Sequence, residues 1–352
     1  MNGEIVMKRM FGIGALLALC VLLMTCSQAP SPGQGPHTSI PVPAGAGTIV
    51  EIDPAMRAIF PAEVKIEKLA DGFAFIEGPI WIHEEGGVLL FSDIPRNQIM
   101  KWTPSGTVTE FRKPSGYTGP PERASAYSGS NGLTLDKQGR LIICEHGDRR
   151  VTRLEKDGKV AVLASQYEGK KLNSPNDAVY RSDGSLYFTD PPYGLASEKD
   201  QELDFSGIYR IKPDGQLELL SKKLSRPNGL AFSPDEKTLY VSNSDPQQRL
   251  WMAYDVADEG TLSNGRVLLD VTAEKDEGLP DGLKVDTQGI IYATGPGGIW
   301  IISPQGKHLG TIKPNENPAN CHWGDTDGKT LYMTAKTGLY RIRLINPGIR
   351  PQ

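Results

Sequence analysis

Six stretches of the chain place an oxygen-bearing side chain at the same point of a repeated pattern. The side chain is followed by a short apolar segment, then by a turn rich in Asp and Gly, and then by a second apolar segment. Carboxylate and amide oxygens are the ligands that hard divalent cations prefer. If the six side chains meet in space, we expect a site for Ca²⁺, or for another divalent cation such as Zn²⁺ or Mn²⁺, with about four of them as direct ligands. The six residues are Glu77, Asn131, Asn176, Asn228, Asp281 and Asn320.

The same dipeptides are also typical of tight turns, because Asn-Gly and Asp-Gly adopt turn conformations easily. Two observations favour a shared site over six separate turns. A second turn signal follows in each copy, such as KQG, SDG or TQG, so the first dipeptide is not needed to reverse the chain. Glutamate is also not a residue that favours this kind of turn, yet Glu77 occupies this position in the first copy.

The spacing of the copies predicts the fold. Successive copies begin 54, 45, 52, 53 and 39 residues apart, close to the roughly 40 to 50 residues of a four-stranded propeller blade. Each of the first five copies is followed by a second pair of alternating segments joined by a Gly-containing turn, which is typical of antiparallel strands. We therefore predict an all-β protein, a six-bladed β-propeller of four-stranded antiparallel blades around a central channel.

The two ends of the repeated region complement each other. The sixth copy has segments for three strands only, and a strand-like segment, Glu63 to Gly72, precedes the first copy. We predict that this N-terminal segment is the outer strand of the sixth blade and closes the ring.

The N-terminus is typical of an export signal. Lys8 and Arg9 precede an apolar run that ends near Cys26, which is too short for a comfortable membrane span. We predict a lipoprotein-type signal over residues 1–26 with Cys26 lipidated; a soluble periplasmic protein and an uncleaved anchor are the alternatives. A Pro/Gly-rich tether over 27–48 and the propeller over 49–352 follow. The expected location is outside the cytoplasm of a bacterium, in the periplasm or anchored at the outer membrane.

Composition excludes several partners. The 352 residues include 38 Lys and Arg and 42 Asp and Glu, a net charge of −4 without a basic block, so nucleic acid is not an expected partner. Contact with a membrane is expected only through the lipid anchor. Beyond the signal, Cys144 and Cys321 lie in apolar segments, which favours two buried free thiols over a disulfide. No GxSxG motif and no GxGxxG motif after a strand is present.

Several motifs together resemble the SMP-30/gluconolactonase/LRE-like family. They are IEGPIW, SPNDAV, RPNGLAFSPD and LPDGLKVD, with CEHGDRR and YFTDPPYG resembling the bacterial gluconolactonase branch. The resemblance implies a six-bladed propeller that holds one divalent metal through Glu77, Asn176, Asn228 and Asp281, with Asp281 as general base. It also implies hydrolysis of a lactone or sugar-acid lactone. Ser174 stands where animal members have an arginine that holds sugar lactones, so the resemblance does not extend to sugar-acid specificity.

A bound cation would lower the proton affinity of Asp281, so two other general bases are candidates. His146 follows the second strand of the second blade, and His322 lies two residues after Asn320 on the predicted channel face. Asn131, Asn320 and Asp190 are predicted channel or substrate residues. The alternative function is a non-enzymatic exported propeller that binds a protein or glycan at its rim. A quinone-dependent oxidoreductase is disfavoured because the channel positions are acidic or amide rather than basic.

Overall fold

The computed structural model describes residues 38–39, 45–83 and 86–349, and within them β-strands dominate. Short 3-10 helices lie at Pro54–Ala58, Pro121–Arg123 and Glu198–Asp200. Three strands precede the first blade: Thr38–Ser39 (β1), Gly47–Glu51 (β2) and Ile66–Ala70 (β3).

Apart from one two-stranded hairpin, the remaining strands form six antiparallel sheets in chain order. The first blade contains Ile76–Ile82 (β4), Val88–Asp93 (β5), Gln98–Trp102 (β6) and Val108–Arg112 (β7). The second contains Ser130–Leu135 (β8), Leu141–Glu145 (β9), Arg150–Leu154 (β10) and Val160–Ala164 (β11). A small hairpin of Gln166–Tyr167 (β12) and Lys170–Lys171 (β13) follows. The third blade contains Ala178–Tyr180 (β14), Leu186–Asp190 (β15), Gly207–Ile211 (β16) and Leu217–Ser221 (β17).

The other three blades complete the ring. The fourth contains Pro227–Phe232 (β18), Thr238–Asp245 (β19), Gln248–Val256 (β20) and Leu262–Asp270 (β21). The fifth contains Leu283–Val285 (β22), Ile291–Gly295 (β23), Gly298–Ile302 (β24) and His308–Pro314 (β25). The sixth contains Asn320–Gly324 (β26), Thr330–Ala335 (β27) and Gly338–Arg343 (β28), with β3 as its fourth strand.

The first strand of every blade contacts the first strand of the next, and β26 contacts β4, so these six inner strands form a closed ring. The predicted six-bladed propeller is confirmed. Its predicted closure is confirmed as well, because β3 pairs with β28 and places Ile66 opposite Ile342.

The fifth blade is wider than the sequence predicts. Strand β2 pairs with its outer strand β25, and β1 pairs with β2, so this sheet has six strands. Strand β2 begins at Gly47, two residues before the predicted start of the propeller, and β1 lies within the predicted tether.

Apolar side chains fill the space between neighbouring sheets. Trp81 of the first blade stacks on Tyr332 of the sixth with ring centroids 5.3 Å apart, and Trp102 packs against the same tyrosine. Cys144 and Cys321 are buried free thiols, as predicted.

The predicted signal, and with it Cys26, lies outside the described residues, so export and lipidation stay predictions. Among the residues that the structure describes, no helix is long and apolar enough to cross a membrane.

Candidate functional site

Irregular strands carry the oxygen-bearing residues into the centre of the ring. The ladder of the first blade shifts between Glu77 and Ile80, and those of the second and fourth blades shift at the Asn131-Gly132 and Asn228-Gly229 dipeptides. Such bulges bend a strand and redirect its side chains. The dipeptides therefore lie within inner strands and are not hairpin turns, in agreement with the shared-site interpretation.

A glycine follows four of the six site residues and allows adjacent inner strands to approach. A Cβ on Gly132 would lie 2.6 Å from the Asn176 carbonyl oxygen. A Cβ on Gly78 or Gly229 would overlap the backbone oxygen of Asn131 or Asp281 in the next blade. Gly132 N–H also donates to the Asn176 carbonyl at 2.7 Å. The Asn-Gly pattern thus combines a side chain for the site with a backbone that only glycine permits.

Hydroxyl groups on the second strands fix the same backbone. Ser92 Oγ donates to the Asn131 carbonyl and Thr189 Oγ1 donates to the Asn228 carbonyl, both at 2.7 Å. The backbone of both asparagines is therefore held by the second strand of the preceding blade.

A cavity of about 390 Å³ lies at this end of the inner strands. It brings together all four residues that the resemblance assigns to the metal, which come from four different blades. Asn131 and His146 lie beside them. The complete lining is Phe75, Glu77, Ile94, Tyr127, Asn131, His146, Asn176, Tyr193, Asn228, Ser244, Leu279 and Asp281.

Two carboxylates of the cavity hold protons unusually well. Burial, with the nearby charge of Asp177, raises the pKa of Glu77 to about 7. Burial, followed by the charges of Glu77 and Asp177, raises the pKa of Asp281 well above its ordinary value, although Asn228 donates a hydrogen bond to it. A cation placed among these groups would offset both effects.

The donor set fits a hard divalent cation. Buried carboxylates that repel each other lie beside the amides of Asn176 and Asn228, and Asn131 Oδ1 is buried without a hydrogen-bond partner. Over the described ranges, no three His, Cys, Asp or Glu side chains lie in a metal-binding group. Two amides are therefore needed to complete the predicted ligand set of Glu77, Asn176, Asn228 and Asp281.

His146 is held as a neutral side chain. Its Nδ1 lies 3.0 Å from the Tyr127 carbonyl, to which it must donate, so Nε2 accepts from Asn131 Nδ2 at 3.2 Å. Burial lowers the pKa of His146 to about 4. At neutral pH its Nε2 therefore carries no proton, and its lone pair is used by the hydrogen bond from Asn131.

Three predicted residues lie elsewhere. His322 lines a second cavity of about 60 Å³ together with Lys284, so the structure does not bring it to the four predicted ligands. Asn320 is buried beneath the first cavity and donates to Glu77 Oε2 at 2.9 Å. Asp190 is fully buried and accepts from the Asn173 N–H at 2.8 Å, so it supports the loop before Asn176 and does not line the cavity.

Other residues of the site were not identified from the sequence. Asp177 directly follows Asn176 and contributes a third carboxylate. Tyr127 and Tyr193 come from the loops before β8 and after β15, where no repeat pattern applies. Ser174, at the position of the absent arginine, donates to the Pro191 carbonyl and accepts from the Gly194 N–H, so it holds the loop that carries Tyr193.

Comparison with known proteins identifies the family of this chain. The model of the SMP-30/gluconolactonase/LRE-like region matches residues 75–337, which contain the whole cavity. The chain belongs to this family. It is 39% identical to the gluconolactonase of Zymomonas mobilis over 309 residues, which cover 84% of this chain and 86% of that protein. The predicted family is thereby confirmed.

Two further family members show how far the similarity extends. Regucalcin of Oryctolagus cuniculus is 28% identical over 268 residues, covering 75% of this chain and 84% of that protein. The solved structure of a gluconolactonase from Xanthomonas campestris is 31% identical, with a TM-score of 0.73, and covers 88% of this chain and 99% of that one.

Proposed function

We propose that this chain is a lactone hydrolase that works with a divalent cation in the 390 Å³ cavity. Ca²⁺ is the cation that we propose before any other. The observation that carries the proposal is the convergence of Glu77, Asn176, Asn228 and Asp281 from four blades on one cavity, beside a buried neutral histidine. The similarity to gluconolactonases supports the reaction class.

Lactone hydrolysis adds water to a cyclic ester and yields a hydroxy acid. When bound, a divalent cation supplies Lewis-acid polarisation of the ester carbonyl. Asp281, which lines the cavity, accepts the proton of the attacking water through the carboxylate oxygen that would not hold the cation. When the bond between the carbonyl carbon and the ring oxygen breaks, Asp281 returns this proton to the ring oxygen, which becomes the hydroxyl group of the hydroxy acid.

The other side chains bind and orient the substrate. Asn131 Nδ2 holds His146 Nε2 towards the cavity, and the unpartnered Asn131 Oδ1 can accept a hydrogen bond from a substrate hydroxyl. Tyr127 and Tyr193 provide faces for the substrate ring. Within the part of the chain that the structure describes, no Lys or Arg lines the cavity, so we expect neutral lactones to bind in preference to phosphorylated ones.

The test is lactone turnover by residues 45–352, with glucono-1,5-lactone and a panel of neutral lactones, corrected for spontaneous hydrolysis. EDTA should abolish turnover and Ca²⁺ should restore it. Asp281→Asn should reduce turnover on the order of 10²- to 10³-fold, because it removes both a ligand and the base. Asp157→Asn, in an exposed ion pair with Lys159, is the matched control and should retain full activity.

Calcium binding without turnover of any lactone would contradict the enzymatic proposal. In that case the non-enzymatic propeller that binds a partner at its rim would replace it. Turnover that is insensitive to EDTA would contradict only the role of the cation and would leave the proposed lactone hydrolysis in place.

We also propose that the chain is exported and lipidated at Cys26. The basic pair before the apolar run and the cysteine at its end support this proposal. Metabolic labelling with a radioactive fatty acid in a bacterial host should label the wild type and not Cys26→Ala.

A further inference from the structure

A second layer of charged and polar side chains lies directly beneath the predicted metal ligands. Asp177 is 3% exposed. Its Oδ1 accepts from the Ala178 N–H at 2.9 Å, and its Oδ2 lies 3.8 Å from Lys284 Nζ. Lys284 Nζ also donates to the Leu283 carbonyl at 3.0 Å. The lysine is therefore held inside the ring, paired with a buried carboxylate.

Asn320 joins this layer to the site. Its Nδ2 donates to Glu77 Oε2 at 2.9 Å and to Asp177 Oδ2 at 3.3 Å. Its Oδ1 accepts from the Cys321 N–H at 2.8 Å. Every polar atom of this amide is thus used, so a continuous chain of contacts runs from Glu77 through Asn320 and Asp177 to Lys284.

The formal charges of the predicted metal ligands and of the layer beneath them can be added. Glu77, Asp177 and Asp281 interact electrostatically with one another, and together they carry −3 when ionised. Lys284 carries +1 and acts on Glu77 from the opposite side of the layer. Among the described residues, no other Lys or Arg lines either cavity. The further carboxylate of the second cavity, Glu236, accepts from Ser182 and lies 3.8 Å from Arg181, so its charge is balanced outside this layer. The sum is −2, which is the charge that a divalent cation neutralises.

We propose that Lys284 is a specificity-determining residue that sets the charge of the site to −2 and thereby favours divalent over trivalent cations. The inference rests on the proposed divalent site. An excess buried charge is costly in a protein interior, so a site of −3 would favour a trivalent ion of similar size. Asp177 does not act as a ligand here; it positions Asn320 against Glu77 and receives the compensating charge.

The test measures binding of Ca²⁺ and Tb³⁺ to residues 45–352 by calorimetry and by competition using terbium luminescence. Lys284→Met keeps the apolar stem and removes the charge. Because an electrostatic free energy scales with the charge of the ion, we expect Ca²⁺ to bind about tenfold and Tb³⁺ about thirtyfold more tightly. The preference for Tb³⁺ over Ca²⁺ should therefore rise about threefold.

A second substitution separates charge from packing. Asp177→Asn leaves the site at −1 and should weaken both ions, Tb³⁺ more than Ca²⁺. The double variant Asp177→Asn/Lys284→Met returns the sum to −2 and should restore the wild-type ratio of the two affinities. Lys284→Gln tests the same charge change with a polar side chain. Lys159→Met, in an exposed ion pair, is the matched control and should change neither affinity.

The outcomes are distinct. A wild-type protein that binds neither ion overturns the divalent site and this inference with it. A wild-type protein that binds Ca²⁺, with an unchanged ratio in both Lys284→Met and Lys284→Gln, overturns the inference alone. Equal weakening of both ions in these variants would show that the lysine only supports the fold.

Discussion

At the scale of single residues, burial determines how the cavity ionises. Glu77 is 2% exposed and its pKa is raised to about 7, while the pKa of Asp281 is also raised well above its ordinary value. In the protein without a cation, both carboxyl groups therefore hold protons at acidic pH. A cation that binds there must displace those protons.

We accordingly predict that the affinity for Ca²⁺ rises with pH. The rise should be steepest below and around pH 7, where Glu77 still holds its proton in the free protein, and should level off once the carboxyl groups are ionised. Calorimetry between about pH 5.5 and 8.5 in buffers of different ionisation enthalpy would measure both the affinity and the protons released. Equal affinity at both ends of this range would contradict the prediction.

A second buried carboxyl should affect stability and not binding. Burial raises the pKa of Asp190 to about 7, above its ordinary value, so the folded state binds more protons than the unfolded state between these values. Stability from this group is therefore present at low pH and is lost as pH rises towards 7. Asp190→Asn removes the titration while keeping an oxygen that can accept from the Asn173 N–H.

We predict that Asp190→Asn raises the melting temperature relative to wild type at about pH 8, where wild-type Asp190 is ionised and buried. At about pH 5 the difference should be much smaller, because the wild-type carboxyl is then neutral. Calorimetric melting at both values provides the comparison. A destabilised variant at the higher pH would show that the backbone N–H groups of Asn173 and Ser174, together with the charge of Arg149, stabilise the ionised form more than burial penalises it.

At the scale of the element, the inner strands depend on glycines that touch the next blade. A Cβ on Gly229 would overlap the Asp281 carbonyl. Because this carbonyl belongs to the backbone, it cannot move aside as the end of a flexible side chain can. We predict that Gly229→Ala lowers the free energy of unfolding by about 3 kcal/mol and weakens cation binding, because it displaces Asp281. Denaturant unfolding and calorimetry would measure the two effects.

Gly158→Ala is the control for this substitution. Gly158 has a φ of 82° and open space around it, so alanine meets backbone strain but no neighbour. It should cost about 1 kcal/mol and leave cation binding unchanged. A similar loss in both variants would contradict the role assigned to close strand contact.

At the scale of the whole molecule, the N-terminal strands join the beginning of the chain to its end. Strand β2 lies on the fifth blade and β3 completes the sixth. We predict that a protein beginning at residue 71 loses cooperative unfolding, because the sixth blade then exposes the edge of β28. A protein beginning at residue 45 retains both strands and should melt cooperatively. Calorimetry of the two truncations decides the point.

Much of this architecture could be predicted because it is repeated. The six-copy pattern indicated the blades, and the missing strand indicated the closure by β3. The four residues assigned by family resemblance share one cavity for the same reason, since equivalent positions of the repeat face the centre of the ring.

The features that could not be predicted depend on distance along a strand and on loops. His322 and Asn320 share a strand face, but two residues of strand span about 6.6 Å, enough to move His322 to the second cavity. Tyr127 and Tyr193 belong to long loops whose course no repeat determines. In the sequence, Lys284 resembles any solvent-facing lysine of a strand. Its pairing with Asp177 is visible only in the structure.

The glycines of the inner strands also limit how such a protein can evolve. Four of the six inner strands meet the next strand through a glycine contact that admits no extra atom, so the diameter of the ring, and with it the spacing of groups donated by different blades, is fixed by the number of blades. Gain or loss of one repeat would destroy the site even if every residue in it were kept. Lineages with this fold should therefore acquire new substrates by exchanging loops such as residues 191–206, and keep the count of six.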